Sequence, residues 1–79
     1  MELKLITPDE KIFAGPIRSI TLPGAAGELT VLPGHTFLLS TLARGKIVYR
    51  NSLGNNTVTI TGGLVEVERD TVTVLAQTS

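Results

Sequence analysis

Apolar and polar residues alternate with a period of two along most of this chain, and a glycine or proline interrupts the alternation every few residues. Val, Ile and Thr, which suit a pleated surface, are abundant, and no stretch shows the 3.6-residue recurrence of an amphipathic helix. The pattern predicts strands at about Leu3–Thr7, Lys11–Ala14, Ile17–Leu22, Glu28–Leu32, Leu38–Leu42, Gly45–Arg50, Thr57–Ile60, Leu64–Glu68 and Thr71–Ala76. Pro8 has no N–H for a ladder and holds Thr7 extended, so the first strand stops there and Asp9-Glu10 turns the chain. Gly15-Pro16 is expected to break the second strand. Arg18 falls on the face of Ile20 and Leu22, which puts it at the edge of the fold with its head in water.

The polar run Ser52-Leu53-Gly54-Asn55-Asn56 lies between two β-rich blocks and reads as a hairpin tip. Gly62-Gly63 interrupts what would otherwise be one long strand, which marks a bulge or a corner where the chain passes from one sheet to another. Eight or more short strands at this spacing indicate two packed antiparallel sheets or a flattened barrel. The predicted core is Leu5, Phe13, Ile20, Leu22, Val31, Leu39, Ile47, Val58, Ile60, Val65, Val67, Val72 and Val74. Each such burial contributes roughly 1.5 to 3 kcal/mol, most of which the ordering of the chain cancels.

Length and composition narrow this picture. Seventy-nine residues suffice for one domain, residues 1–79, near the lower limit for unaided folding. A hydrophobic content of 42% against 18% charged residues argues for a packed globule and against disorder. Seven basic and seven acidic residues cancel, and no run of like charge occurs, so the field that would hold a phosphate backbone is missing and no nucleic-acid partner is expected. No apolar window approaches the roughly 20 residues that span a bilayer, and the first residues lack a leader pattern, so membrane association is expected only through a partner.

Nothing points to bond chemistry. His35 is the only histidine and there is no cysteine, so a metal would need carboxylates from Asp9, Glu10, Glu28, Glu66, Glu68 or Asp70, none at ligand-like spacing. No serine sits in a glycine-flanked elbow. Gly24-Ala25-Ala26-Gly27 leads into a strand beside an acid, whereas a phosphate cradle opens a helix. No catalytic residue, metal or cofactor is therefore expected. The run from Leu22 to His35 stands out all the same: two glycine- and proline-rich loops flank one very short strand. Its glycines read either as backbone conformation alone or as a loop built to be touched. Glu28 reads as a solvated strand-end carboxylate or as a polar anchor on a docking surface, and His35 as a turn residue or a contact.

Leu22-Pro23-Gly24, Gly27-Glu28-Leu29 and Pro33-Gly34-His35 occur in an order and spacing that resembles the epsilon subunits of rotary F-type ATP synthases. The resemblance extends to Leu5-Ile6-Thr7-Pro8, Ile12-Phe13-Ala14-Gly15, Leu38-Leu39, Gly45-Lys46-Ile47, the block from Gly62 to Val67, and Val72 to Ala76. It covers nearly the whole chain but only the family's N-terminal domain. It implies a flattened antiparallel β-sandwich of about ten short strands. It also implies a non-catalytic rotor subunit in the central stalk of a proton- or sodium-translocating enzyme, lying against subunit gamma and the c-ring. By the same resemblance Gly27, Glu28 and Leu29 face the c-ring, while His35, Thr36 and Phe37 face gamma. The location implied is peripheral, at the cytoplasmic face of a bacterial inner membrane.

Two departures from the family pattern matter. Thr36-Phe37 follows Pro-Gly-His where a small residue and a proline are usual, so the gamma-facing turn is expected to differ locally. The sequence ends at Ser79, where most members continue into a two-helix C-terminal domain that can inhibit hydrolysis and in some bacteria binds ATP, so neither property is carried over. The alternative reading is a free-standing β-sandwich that binds a small ligand. One tyrosine, two phenylalanines and no tryptophan supply few aromatics for such a cleft.

Overall fold

The alternating blocks become nine strands in the computed structural model, which describes residues 1–34 and 36–78. They are β1 (Glu2–Ile6), β2 (Lys11–Pro16), β3 (Ser19–Gly24), β4 (Gly27–Val31), β5 (Leu38–Leu42), β6 (Gly45–Asn51), β7 (Gly54–Ile60), β8 (Gly62–Glu68) and β9 (Thr71–Gln77). The described residues contain no helix. One hydrogen-bonded path runs β2-β1-β9-β8-β5-β3-β6-β7, with β4 added to β3. The path bends where β5 meets β3, through the single pair Gly24↔Leu42. The curled sheet thereby becomes a sandwich of two layers, β2-β1-β9-β8-β5 and β4-β3-β6-β7, within 30 × 26 × 19 Å.

Most neighbours are antiparallel, as consecutive strands joined by tight turns must be. The exception is β1 with β9, which pair in parallel from Glu2↔Thr71 to Ile6↔Leu75 and so close the sheet by joining the two ends of the described chain. Leu3 lies against Val72 and Leu5 against Val74, while Val72 and Val74 face Val67 and Val65 across β8. These six side chains, with Ile20, Leu22, Val31, Ile47 and Ile60 from the other layer, are the most deeply buried in the molecule. Among the described residues no charged side chain is buried, and the interior is built of aliphatic side chains with Tyr49 at its margin. Phe13 on β2 and Tyr49 on β6 tie the layers at one end, their ring centroids 4.7 Å apart and tilted by 41°.

Several expectations change. Leu39 was expected in the core but is 55% exposed. Adjacent leucines on one strand point to opposite faces, and Leu42, which is buried, sets the parity that turns Leu38 inward and Leu39 outward. Phe13 and Val58 are only partly buried against the core, and Leu3, Ile17, Leu42, Tyr49 and Ala76 join it instead. Gly15-Pro16 does not break β2: Pro16 pairs with Glu2, tolerated because β2 is an edge strand whose outer N–H needs no partner. β3 begins at Ser19, so Arg18 precedes it, exposed, with its backbone N–H donating to the Arg50 carbonyl at 2.7 Å. The 52–56 hairpin forms, but Gly54 to Asn56 already belong to β7 and the turn is Ser52-Leu53.

Gly62-Gly63 is the expected corner. There the chain leaves β7, at the far edge of one layer, and enters β8 in the other. Gly63 has φ +151°, and a Cβ on it would run into the Leu75 carbonyl of β9, so only glycine lets β8 start this close to its neighbour.

Candidate functional site

Among the described candidate residues, Gly27, Glu28 and Leu29 open β4, and Thr36 and Phe37 lie in the connection that leads to β5. At the start of β4, Pro23-Gly24 is not part of a loop, as the sequence suggested, but continues β3 beyond Leu22, paired through Pro23↔Glu28 and Gly24↔Gly27. The turn itself is only Ala25-Ala26. Its tightness explains the glycines: a Cβ at Gly24 would lie 2.6 Å from the Gly27 carbonyl oxygen and 3.0 Å from Leu29 Cδ1, and Gly27 holds φ +135°. The turn is anchored to β5 on the other side. Ala25 N–H donates to the Thr41 carbonyl at 3.0 Å and Ala43 N–H to the Pro23 carbonyl at 2.8 Å. Gly27 and Glu28 are exposed, and Leu29 is half-buried against the turn.

The other end of β4 leads into the 32–37 connection. Leu32 is 57% exposed and Phe37 60% exposed, two large apolar side chains flanking the Pro33-Gly34 turn. Thr36 is exposed as well. His35 lies outside the described residues. Gly27, Glu28 and Leu29 thus lie on β4 itself, whereas Thr36 and Phe37 lie in the connection just before β5.

Asp70, which no local sequence pattern singled out, links this second region to the rest of the fold. It sits with φ +64° in the β8–β9 turn, after Arg69 at φ +49°. Its carboxylate faces the Met1 ammonium at 3.4 Å and accepts the Gly34 N–H at 3.4 Å, and its backbone carbonyl accepts Glu2 N–H at 2.9 Å. Thirty-six residues separate Gly34 from Asp70, so only the folded topology brings them together.

The surface depressions elsewhere are open. One, about 310 Å³, has Ile6, Thr7, Pro8, Gly63, Leu75 and Gln77 among its lining residues, and another, about 230 Å³, is lined by Leu39, Leu64, Glu66, Thr73 and Leu75. One ionisable group is clearly shifted by its surroundings: burial pushes the Tyr49 phenol up from its ordinary value of 10.0 by disfavouring the phenolate.

The fold is that of a small all-β sandwich domain. The chain belongs to the family described as ATP synthase, Delta/Epsilon chain, beta-sandwich domain, whose model matches residues 1–79. It is 46% identical to the ATP synthase epsilon chain of Wolinella succinogenes over 96% of its own length and 59% of that protein's. It is 41% identical to that of Bordetella petrii over 100% of its length and 57% of that protein's. The chain thus spans less than two thirds of these curated relatives. Its fold matches a chain in the cryo-EM structure of the Euglena gracilis mitochondrial ATP synthase, OSCP/F1/c-ring in rotational state 1, with a TM-score of 0.87 and 30% identity, covering 94% of this chain and 48% of that one.

Proposed function

We propose that this chain is the β-sandwich part of a non-catalytic central-stalk subunit of an F-type ATP synthase that translocates protons or sodium ions. It acts as a stiff spacer that passes c-ring rotation to subunit gamma. The whole-length family match carries this reading, and the physical properties of the fold support it. A close-packed apolar interior between two sheets deforms little under load, and a spacer that yielded would store rotation as strain. Gly27, Glu28 and Leu29 make the c-ring contact, with the Glu28 carboxylate exposed on β4 just after the Ala25-Ala26 turn. His35, Thr36 and Phe37 make the gamma contact, with the exposed Phe37 ring as its apolar anchor. One contact on β4 and the other in the connection before β5 suit a part that must hold two components at once. The complex places it peripherally, at the cytoplasmic face of a bacterial inner membrane, with no direct insertion.

Capture of purified gamma and of c-ring in detergent by wild type, Glu28→Lys, His35→Ala and Phe37→Ala tests the assignment. Glu28→Lys should weaken c-ring capture while gamma capture persists, and Phe37→Ala or His35→Ala should do the reverse. Undiminished capture of both partners by all three variants would remove the contacts.

A further inference from the structure

The charges of this chain cancel overall but not within each layer. Arg18, Arg44, Lys46 and Arg50 lie on or beside the β4-β3-β6-β7 layer, against the single acid Glu28. The remaining six acids and three cations fall on the other layer and its turns. A neutral protein is in this way a dipole, with its cationic pole on the β6–β7 hairpin. Lys46 and Arg50 are exposed, four residues apart on one face of β6, and among the described residues neither forms an ion pair.

β7 is also a long, poorly protected edge of the sandwich. Unpaired edges invite another strand unless charge, proline, a bulge or brevity blunts them. The β2 edge carries Lys11, Pro16 and a register shift at Leu5/Ile6. The β4 edge is five residues long and carries Glu28. β7 is seven residues long, has no charge and no proline, and keeps an unbroken register against β6 from Gly45↔Ile60 to Asn51↔Gly54. Its outward side chains Asn55, Thr57 and Thr59 are short and polar, and Lys46 and Arg50 stand directly behind Thr59 and Asn55 in the pairing.

We infer that β7 is an open docking edge that takes up an extended, acidic segment of a partner protein as an additional strand. The ladder of backbone hydrogen bonds supplies the attachment. Specificity comes from carboxylates four positions apart on the outer face of the incoming strand, which meet Lys46 and Arg50 across the short β7 side chains. An apolar residue on its inner face would cover the half-buried Val58. This interaction goes beyond the stalk contacts on β4 and in the connection before β5 and uses none of their residues.

The test is amide hydrogen exchange by NMR on the isotope-labelled 79-residue chain, with a blocked seven-residue peptide carrying glutamate at its first and fifth positions and valine at the even ones. Exchange at alternate β7 amides should slow by roughly tenfold when about nine tenths of the chain is bound, and the effect should fade as salt is raised. A peptide with lysine in place of both glutamates should give no slowing, and Lys46→Glu with Arg50→Glu should abolish the response to the acidic peptide. If that double variant fails to fold, Lys46→Gln with Arg50→Gln serves in its place. No slowing, equal slowing by the lysine peptide, or slowing on β2 or β4 instead would overturn the inference. So would protection of β7 that grows with protein concentration without peptide, since it would assign the edge to a second copy. Each of these failures leaves the gamma and c-ring capture experiment untouched.

Discussion

The two layers of this sandwich are nearly alike inside and opposite outside. Inward, both offer Leu, Ile and Val at alternate positions, and the Val65–Val74–Leu5 row of one layer does the same work as the Ile20–Val31 pair of the other. Outward, the β1-β9-β8-β5 layer shows Leu39, Leu64 and Leu75 with Glu66 between them. The outer face of β4-β3-β6-β7 shows Thr57, Val48, Thr21 and Thr30 in one cross-strand row, with Lys46 and Arg50 to either side. Thr21 and Thr30 even share a hydroxyl hydrogen bond at 3.2 Å. The inner faces answer to packing, which is indifferent to which aliphatic side chain fills a given volume. The outer faces are under no such constraint, and there the layers acquire different partners to recognise.

The sharpest way to break this comparison is to cut the same methyl groups from the two sides of one layer. Leu5→Ala, at a fully buried site, should cost about 2 to 5 kcal/mol, a large share of the total for a domain of this size, on the order of 5 kcal/mol. Leu39→Ala on the outer side should stay within about 0.5 kcal/mol. Urea unfolding of both variants measures the difference, and equal losses would mean that the outer leucines are structural.

Next in size is the seam between the layers. Gly24 sits at the one β3–β5 pair and at the Ala25-Ala26 turn together, so Gly24→Ala must push the Gly27 carbonyl aside. A loss of about 1 to 3 kcal/mol is expected, with thermal unfolding as the readout. Gly27→Ala, which meets nothing within 4 Å but keeps the φ of +135°, separates strain from collision.

Tyr49, in the ring pair that joins the layers, titrates this junction. Its folded pKa lies above the unfolded value, so the native state holds the phenol proton longer than the unfolded chain does. The stability this contributes is fully present below pH 10.0 and is lost as pH rises through the folded value. Wild type should therefore lose stability in the alkaline range, while Tyr49→Phe should lose less. The chain has one tyrosine, so phenolate absorbance reads this titration directly. The smallest effect concerns the outer charges alone: Lys46→Glu should move stability by no more than about 0.5 kcal/mol while changing electrophoretic and ion-exchange behaviour markedly.

Strand positions were legible wherever apolar residues alternate without ambiguity, as in Val72-Thr73-Val74 or Ile20-Thr21-Leu22. They were misjudged where two apolar residues adjoin, as at Leu38-Leu39, because a period of two then has two phases and only the partner strand chooses between them. Leu3 shares the parity of Leu5 and was within reach of the same argument. Pro16 and Pro23 looked like strand breakers because the cost of proline depends on whether a neighbour needs its N–H, and sequence does not show which strands are edges. The Gly27-Glu28-Leu29 element was visible as a motif. The tether from Asp70 to Gly34 was not, since no pattern along the chain joins residues so far apart.

By itself the sequence determined the class of fold, because alternation acts over a few neighbouring positions, and its motif order carried the resemblance to the family. Tertiary structure alone decided which face of each strand looks inward, which strands remain unpaired, and that one layer carries four cations against one acid while the other carries six acids against three cations. These are properties of strand neighbours, and strand neighbours such as β1 and β9 lie at opposite ends of the chain.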